Sequence, residues 1–191
     1  LPDAWKDGQV SGLVARGNFE VSMKWKEKNL ETLAFLSHAG GDLVVDYPDI
    51  ESSIVKINGK EIKPTLLKDN RIQIATQKGD RITFEKLPER ITRLSAVRKD
   101  AVTAERDFNP VTDATHYVIS RESKDESSDA PSINEFLTNV THFIDRSIDS
   151  LHSYSYSVRA MIGEHSRQAS ESASIQPVVE LMDDRDPRVQ Y

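Results

Sequence analysis

Cysteine is missing altogether from the 191 residues. Its absence excludes disulfide frameworks, thiolate zinc sites and cysteine nucleophiles together. Long apolar runs are missing as well. No window approaches the ~18 apolar residues that a membrane-spanning helix needs, so no membrane insertion is expected. Histidine is sparse, with His38, His116, His142, His152 and His165, and no two stand in H-x-x-x-H or H-E-x-x-H spacing. Zinc wants three or four convergent ligands, so no metal site is expected, and the EF-hand loop pattern is absent too. There is no G-x-S-x-G nucleophile elbow. Gly12 to Gly17 is not a phosphate loop, because no Lys-Ser/Thr follows. Nothing in the chain asks for a cofactor. The net charge is −6 with no basic stretch, which argues against a nucleic-acid partner.

What is present changes character near residue 88. Residues 1–88 hold ten lysines, three arginines and seven glycines; residues 89–191 hold two, ten and one. The first part is neutral, with 13 basic and 13 acidic residues, and the second, with 12 and 18, carries the whole negative charge. Leu87-Pro88-Glu89 adds a proline break at the same place. A boundary at 86–90 is expected, giving domains at 1–88 and 89–182 and a loose tail at 183–191.

Both parts read as β. Phe19, Val21, Met23 and Trp25 alternate with polar residues, the period of a half-buried strand, and Phe19 opens the first clean one. Leu30 to Ser37 and Leu43 to Tyr47 follow, separated by Gly40-Gly41-Asp42. Asn58-Gly59 between Val55 and Ile62 predicts a type I′ hairpin, since both central residues need positive φ. Ile72 and Ile74, then Lys78-Gly79-Asp80, then Ile82 and Phe84 suggest another hairpin. In the second part, strands are expected at Ile91 to Val97, Ala101 to Ala104, Tyr117 to Arg121, Thr141 to Asp145, Tyr154 to Ile162 and Ala173 to Val179. Glu122 to Ser132 reads as a charged loop. Ile133 to Val140 fits either a strand or one helical turn. Short strands with regular turn signals make the expected fold all-β: two tandem antiparallel β-sandwich domains.

Two family resemblances add to this. Phe108-Asn109-Pro110-Val111 with Ala114, Tyr117 and Val118 is similar to the W-x-P-V…A-x-x-Y-x-V pattern of fibronectin type III modules, with Phe108 where Trp is usual. Asp145 and Ile148, followed by Tyr154, Tyr156, Val158 and Ala160, is similar to the later pattern of the same immunoglobulin-like sandwich. The resemblance implies that Ile148 plugs the core, that the Tyr154 hydroxyl ties to upstream backbone, and that Tyr156, Val158 and Ala160 share one face. It implies almost nothing about function.

Residues 1–21 carry Leu1, Pro2, Ala4, Trp5, Gly8, Val10, Gly12, Leu13, Ala15, Arg16, Gly17, Phe19 and Val21 in the spacing L-P-x-A-W-x-x-G-x-V-x-G-L-x-A-R-G-G-F-x-V, with Asn18 replacing the second Gly. This resembles the C-terminal region of glycoside hydrolase family 95, which comprises inverting α-L-fucosidases and related exo-glycosidases. The resemblance implies that such a segment follows an (α/α)6 catalytic barrel and leads into a C-terminal β-sandwich, with the catalytic residues in the barrel. On that reading this chain has no catalytic residues and is no enzyme by itself. It would be a structural support and spacer whose partner is the catalytic domain of its parent, in the periplasm or outside the cell.

The candidate functional residues are few. Trp5 lies in a Pro/Gly/Asp-rich stretch, and with Arg16 it is a candidate for the junction with the catalytic domain. Trp5 and Tyr47 are the candidates for stacking on a sugar ring, whereas the alternation places Trp25 in the core. Asp42, Asp46 and Asp49, and Asp183, Asp184 and Asp186, read as solvated turn residues. The alternative to the accessory region is a free-standing glycan-binding or protein-interaction module, with glycans as its partners.

Overall fold

The computed structural model describes residues 5–123 and 131–178. The expected tail at 183–191, the acidic run Asp183, Asp184 and Asp186, and Leu1, Pro2 and Ala4 of the opening motif lie outside the described residues. So do the middle of the expected 122–132 loop and the last residue, Val179, of the strand expected from Ala173.

The chain is all-β. Strands β1 (Gly8–Ala15), β2 (Phe19–Lys26), β3 (Asn29–Ser37) and β4 (Gly41–Asp46) lead to a single 3-10 turn at Ile50–Ser52. Then come β5 (Ile54–Ile57), β6 (Lys60–Ile62), β7 (Thr65–Leu66), β8 (Arg71–Thr76) and β9 (Arg81–Glu85). They form a six-stranded sheet, β1-β2-β3-β9-β5-β6, packed on a three-stranded one, β4-β8-β7. Phe19, Leu33, Phe35, Val55, Ile82 and Phe84 from the larger sheet meet Leu43, Val45, Ile72 and Ile74 from the smaller in one buried core. Asn58 and Gly59 both have positive φ, 51° and 82°, as the type I′ reading of β5–β6 requires.

Two expectations for this part fail. Phe19 does not open the first strand: β1 precedes it, antiparallel to β2. Its alternation is broken by a bulge between Val10 and Leu13, where Gly12 takes φ +76°. Ile72 to Phe84 is not a hairpin either. β8 pairs with β4 and β7, whereas β9 pairs with β3 and β5. Residues 77–80 carry the chain from one sheet to the other, held by Gly79 N–H to Ser37 O (2.7 Å) and Ser37 N–H to Asp80 O (2.9 Å). The apolar residues flanking this turn pack against one another across the sandwich, so alternation alone could not tell an arch from a hairpin.

The second set of strands is β10 (Leu94–Arg98), β11 (Ala104–Phe108), β12 (His116–Ser123), β13 (Ser132–Thr138), β14 (His142–Asp145), β15 (Tyr154–Ile162), β16 (His165–Ser166) and β17 (Ala173–Ile175). A β10-β11-β14 sheet faces a β13-β12-β15 sheet, in which β15 also pairs with β16 and β17. This strand order is that of a fibronectin type III sandwich. The strand expected at Ala101 to Ala104 is a correction: Lys99 N–H to Thr103 O closes a turn there, and the strand starts at Ala104. Ile133 to Val140, left open between strand and helical turn, is strand as far as Thr138. Glu122, Ser123 and Ser132, expected in a loop, extend β12 and β13.

The core of this sandwich follows the motif. Ile148, Tyr154, Tyr156, Val158 and Ala160 are all buried. Asp149 N–H donates to the Tyr154 hydroxyl (3.1 Å), which itself donates to the Asp149 carboxylate (2.8 Å). Burial works against ionisation of Asp149. The Tyr154 hydroxyl, the His152 ring and the N–H groups of Leu151 and His152 outweigh it and hold the carboxyl well below the usual range. Phe108 sits edge-on to Tyr117 at 4.9 Å between ring centres.

Inside the sandwich lies an ionic cluster. Arg121 donates to Asp145 (2.9 Å) and to the Ser147 hydroxyl (2.7 Å) and carbonyl (3.1 Å). Asp145 also accepts from the Tyr156 hydroxyl (3.1 Å) and the Ser147 N–H (2.9 Å). The fully buried Arg106 guanidinium lies 3.1 Å from the centre of the Tyr156 ring, donates to Ala104 O (2.6 Å) and stands 3.9 Å from Asp145. Burial pushes the Arg106 guanidinium down to about 10, although Asp145 partly restores it. Burial also works against the Asp145 charge, but Ser147 and Arg121 overcome it and lower its pKa.

Asp145→Ala leaves two buried guanidinium groups facing no anion. It is expected to cost about 3–5 kcal/mol in urea unfolding, the range for removing one member of a buried pair. Because the folded pKa of Asp145 is depressed, its contribution is complete above about pH 4, the unfolded value, and declines as pH falls through the folded one. The wild type should therefore lose stability on acidification more steeply than Asp145→Asn. Parallel acid limbs would contradict this.

Candidate functional site

The two sheets of the first sandwich differ in width, and the surplus lies partly at the β1 margin. Val10 pairs with Met23 and Leu13 with Val21, all on the core-facing side of the larger sheet. Val10, Val21 and Met23 are only partly buried, and Leu13 is 49% exposed. The three-stranded sheet leaves this apolar ledge incompletely covered. Val14, on the opposite face, is exposed as well.

Trp5 and Trp25 close one end of the ledge. The Trp25 indole N–H donates to Trp5 O (2.9 Å), and the rings stack at 6.1 Å and 19°. Gly8 permits this arrangement: a Cβ there would lie 2.4 Å from the Trp25 ring. The approach segment is pinned to the β2–β3 turn by Lys28 N–H to Lys6 O (2.8 Å) and Glu27 N–H to Asp7 Oδ1 (2.7 Å). Trp25 is core, as its alternation predicts, whereas Trp5 remains 53% exposed. Arg16, just past β1, is exposed, and its side chain has no hydrogen bond or ion pair among the described residues.

Tyr47 lies elsewhere, half-buried between the two sandwiches, with the Arg90 guanidinium 5.3 Å from its ring centre. Its hydroxyl accepts from the Leu30 N–H (3.5 Å). The carboxylates and histidines of the sequence motifs are spread out. Asp42 accepts from Gln73 (2.7 Å), Asp46 is exposed, and Asp49 is buried and accepts from the Gln168 N–H (3.0 Å). His38 pairs with Glu20, His142 with Asp107 and His152 with Asp149. Among the described residues no three His, Asp or Glu side chains converge as metal ligands would. No helix among them is long and apolar enough to cross a membrane.

The polar seam joining the two sandwiches escaped the sequence. Asn29 accepts from Arg90 N–H (2.9 Å) and donates to Arg90 O (3.1 Å). Asn109 donates to the same carbonyl (3.1 Å) and accepts from Thr92 N–H and Arg93 N–H (2.9 Å each). Thr92 Oγ1 donates to Glu27 O (2.7 Å), and Arg167 donates to Ser52 Oγ (2.6 Å). The one signal in the sequence was the rise of arginine after residue 88, because the Arg90 guanidinium lies over Tyr47 and Arg167 reaches Ser52.

Residues 1–84 match the model of the C-terminal domain of glycoside hydrolase family 95. A search of curated proteins finds no match. Similar solved structures include the fn3 domain of the human collagen alpha-1(XX) chain, at 14% identity and TM-score 0.41, covering 47% of this chain and 85% of that one. An Fn3-like protein from Clostridium thermocellum is 24% identical with TM-score 0.39, covering 47% and 93%. Domains A168–A170 of titin are 8% identical with TM-score 0.36, covering 92% and 84%. Both family resemblances drawn from the sequence hold: the family 95 C-terminal region by the family match, the fibronectin type III module by its strand order.

Gly8→Ala forces the Trp25 ring aside and is expected to cost about 1–3 kcal/mol, the range for overpacking, with a red-shifted tryptophan emission. Trp5→Ala removes only the exposed half of the stack and should cost about 1 kcal/mol. Wild-type stability and emission in Gly8→Ala would contradict the assigned packing.

Proposed function

We propose that this chain is the non-catalytic C-terminal accessory region of a carbohydrate-active enzyme resembling the inverting α-L-fucosidases. The match of residues 1–84 to the family 95 C-terminal domain carries this reading. The partner is an (α/α)6 catalytic domain of the same parent, in the periplasm or outside the cell. The first sandwich buttresses that domain, and the fibronectin-like sandwich acts as a spacer. The ledge of Val10, Leu13, Val21 and Met23, flanked by Trp5 and Arg16, supports this reading. It offers apolar area and an exposed guanidinium at one margin, the composition of an interface core with a charged edge. No general acid or base is assigned to any residue of the chain. Inverting hydrolysis needs two carboxyl groups roughly 6.5–9.5 Å apart about a sugar, and those belong to the barrel.

Two measurements test this. The purified chain should release no product from an aryl α-L-fucoside above the buffer rate, and turnover would overturn the reading. A separately expressed family 95 catalytic barrel should bind the chain in trans. Leu13→Asp should weaken that binding by about tenfold or more, as loss of a central apolar contact does, while changing stability little. Equal binding by Leu13→Asp would remove the ledge from the interface.

A further inference from the structure

On the second sandwich, beside its junction with the first, lies a groove of about 920 Å³, within the size range of small-ligand sites. Its base is apolar, formed by Ile91, Leu94 and Phe108. The connecting segment 90–93 runs along one wall, and residues 168–172, between β16 and β17, form the other. Asn29 and Asn109 already occupy the N–H groups of Arg90, Thr92 and Arg93 and the Arg90 carbonyl, so the side chains of the segment supply most of the chemistry.

Those side chains fall into two groups. Arg90 and Arg93 both line the groove. The Nε of Arg90 is buried and has no hydrogen-bond acceptor among the described residues. Arg93 is 60% exposed and meets Glu27 only at 3.7 Å. With Lys28 also in the lining, these arginines give the groove a cluster of cationic side chains, which suits a carboxylate or similar planar anion. The other group is neutral or acidic, with Ser95, Gln168 and Ser172 beside Asp107 and Glu171. Hydroxyl, amide and carboxylate groups suit the donors and acceptors of a polyol.

We propose that this groove binds a short acidic saccharide, with its carboxylate at Arg90 and Arg93 and its hydroxyls on the Ser95–Gln168–Ser172 side. The proposal rests on the reading of the chain as part of a carbohydrate-active enzyme. Its test needs no catalytic domain, so its failure leaves the docking result of that reading untouched. It also assigns the sugar to a surface separate from Trp5.

Calorimetry and NMR shift mapping on the full chain would use trigalacturonate, its neutral methyl ester, and inorganic sulfate. Trigalacturonate should bind in the range of about 10 µM to 1 mM, with shifts at residues 90–95 and 168–172. The methyl ester should bind at least about tenfold more weakly, since charge-assisted pairs are the stronger ones. Arg93→Gln, at an exposed position, should weaken binding about fivefold or more with unchanged thermal stability, and Arg90→Lys should do so by removing the fork while keeping the charge. Absence of binding by trigalacturonate, equal binding by the ester, or unaltered affinity in both variants would overturn the proposal. Displacement of trigalacturonate by equimolar sulfate would also overturn it, by reducing the site to an anion hole.

Discussion

The peptide of Arg90 is gripped from both sides, and the relation between the two sandwiches depends on that grip. Asn29, at the start of β3, holds both its N–H and its carbonyl. Asn109, just past β11, holds the same carbonyl and the N–H groups of Thr92 and Arg93. One connecting segment is thereby fixed to both sandwiches at once. A side-chain amide can do this because it carries a donor and an acceptor a peptide's width apart. The Arg90 side chain is then left lying over Tyr47, and the groove above it takes its shape from the same anchoring.

The second contact reinforces the first from the opposite direction. Asp49 sits at φ +58° before the 3-10 turn and accepts the Gln168 N–H, while Arg167 reaches Ser52. Two attachment points far apart in sequence resist rotation in a way that one cannot.

Legibility in the sequence followed the range of the interactions. The type I′ turn at Asn58-Gly59 was legible because it is set by two adjacent residues. The Tyr154 corner was legible because its partner Asp149 lies five residues upstream. The arch at 77–80 was not, since the same alternation serves an arch and a hairpin and only the pairing of β8 with β4 distinguishes them. Strand β1 was hidden because both its faces are largely open and its alternation is bulged. The Arg106–Arg121–Asp145 cluster joins three strands up to 39 residues apart in sequence, and no local pattern announces it. Trp5 and Arg16, picked out as junction candidates, are both exposed. Tyr47 was picked out for its neighbouring proline, but its surroundings depend on Arg90, far along the chain.

The central claim is that the β1 margin is a covered surface in the working enzyme. Amide hydrogen exchange across residues 8–26 tests it most directly, measured on the isolated chain and again with a family 95 catalytic barrel present. The account predicts that the β1 amides, at the open edge of the sheet, exchange fast alone and become protected by at least about tenfold with the barrel, as for groups taken out of solvent by an interface. Identical exchange at β1 in the two samples, with the barrel demonstrably folded, would contradict it.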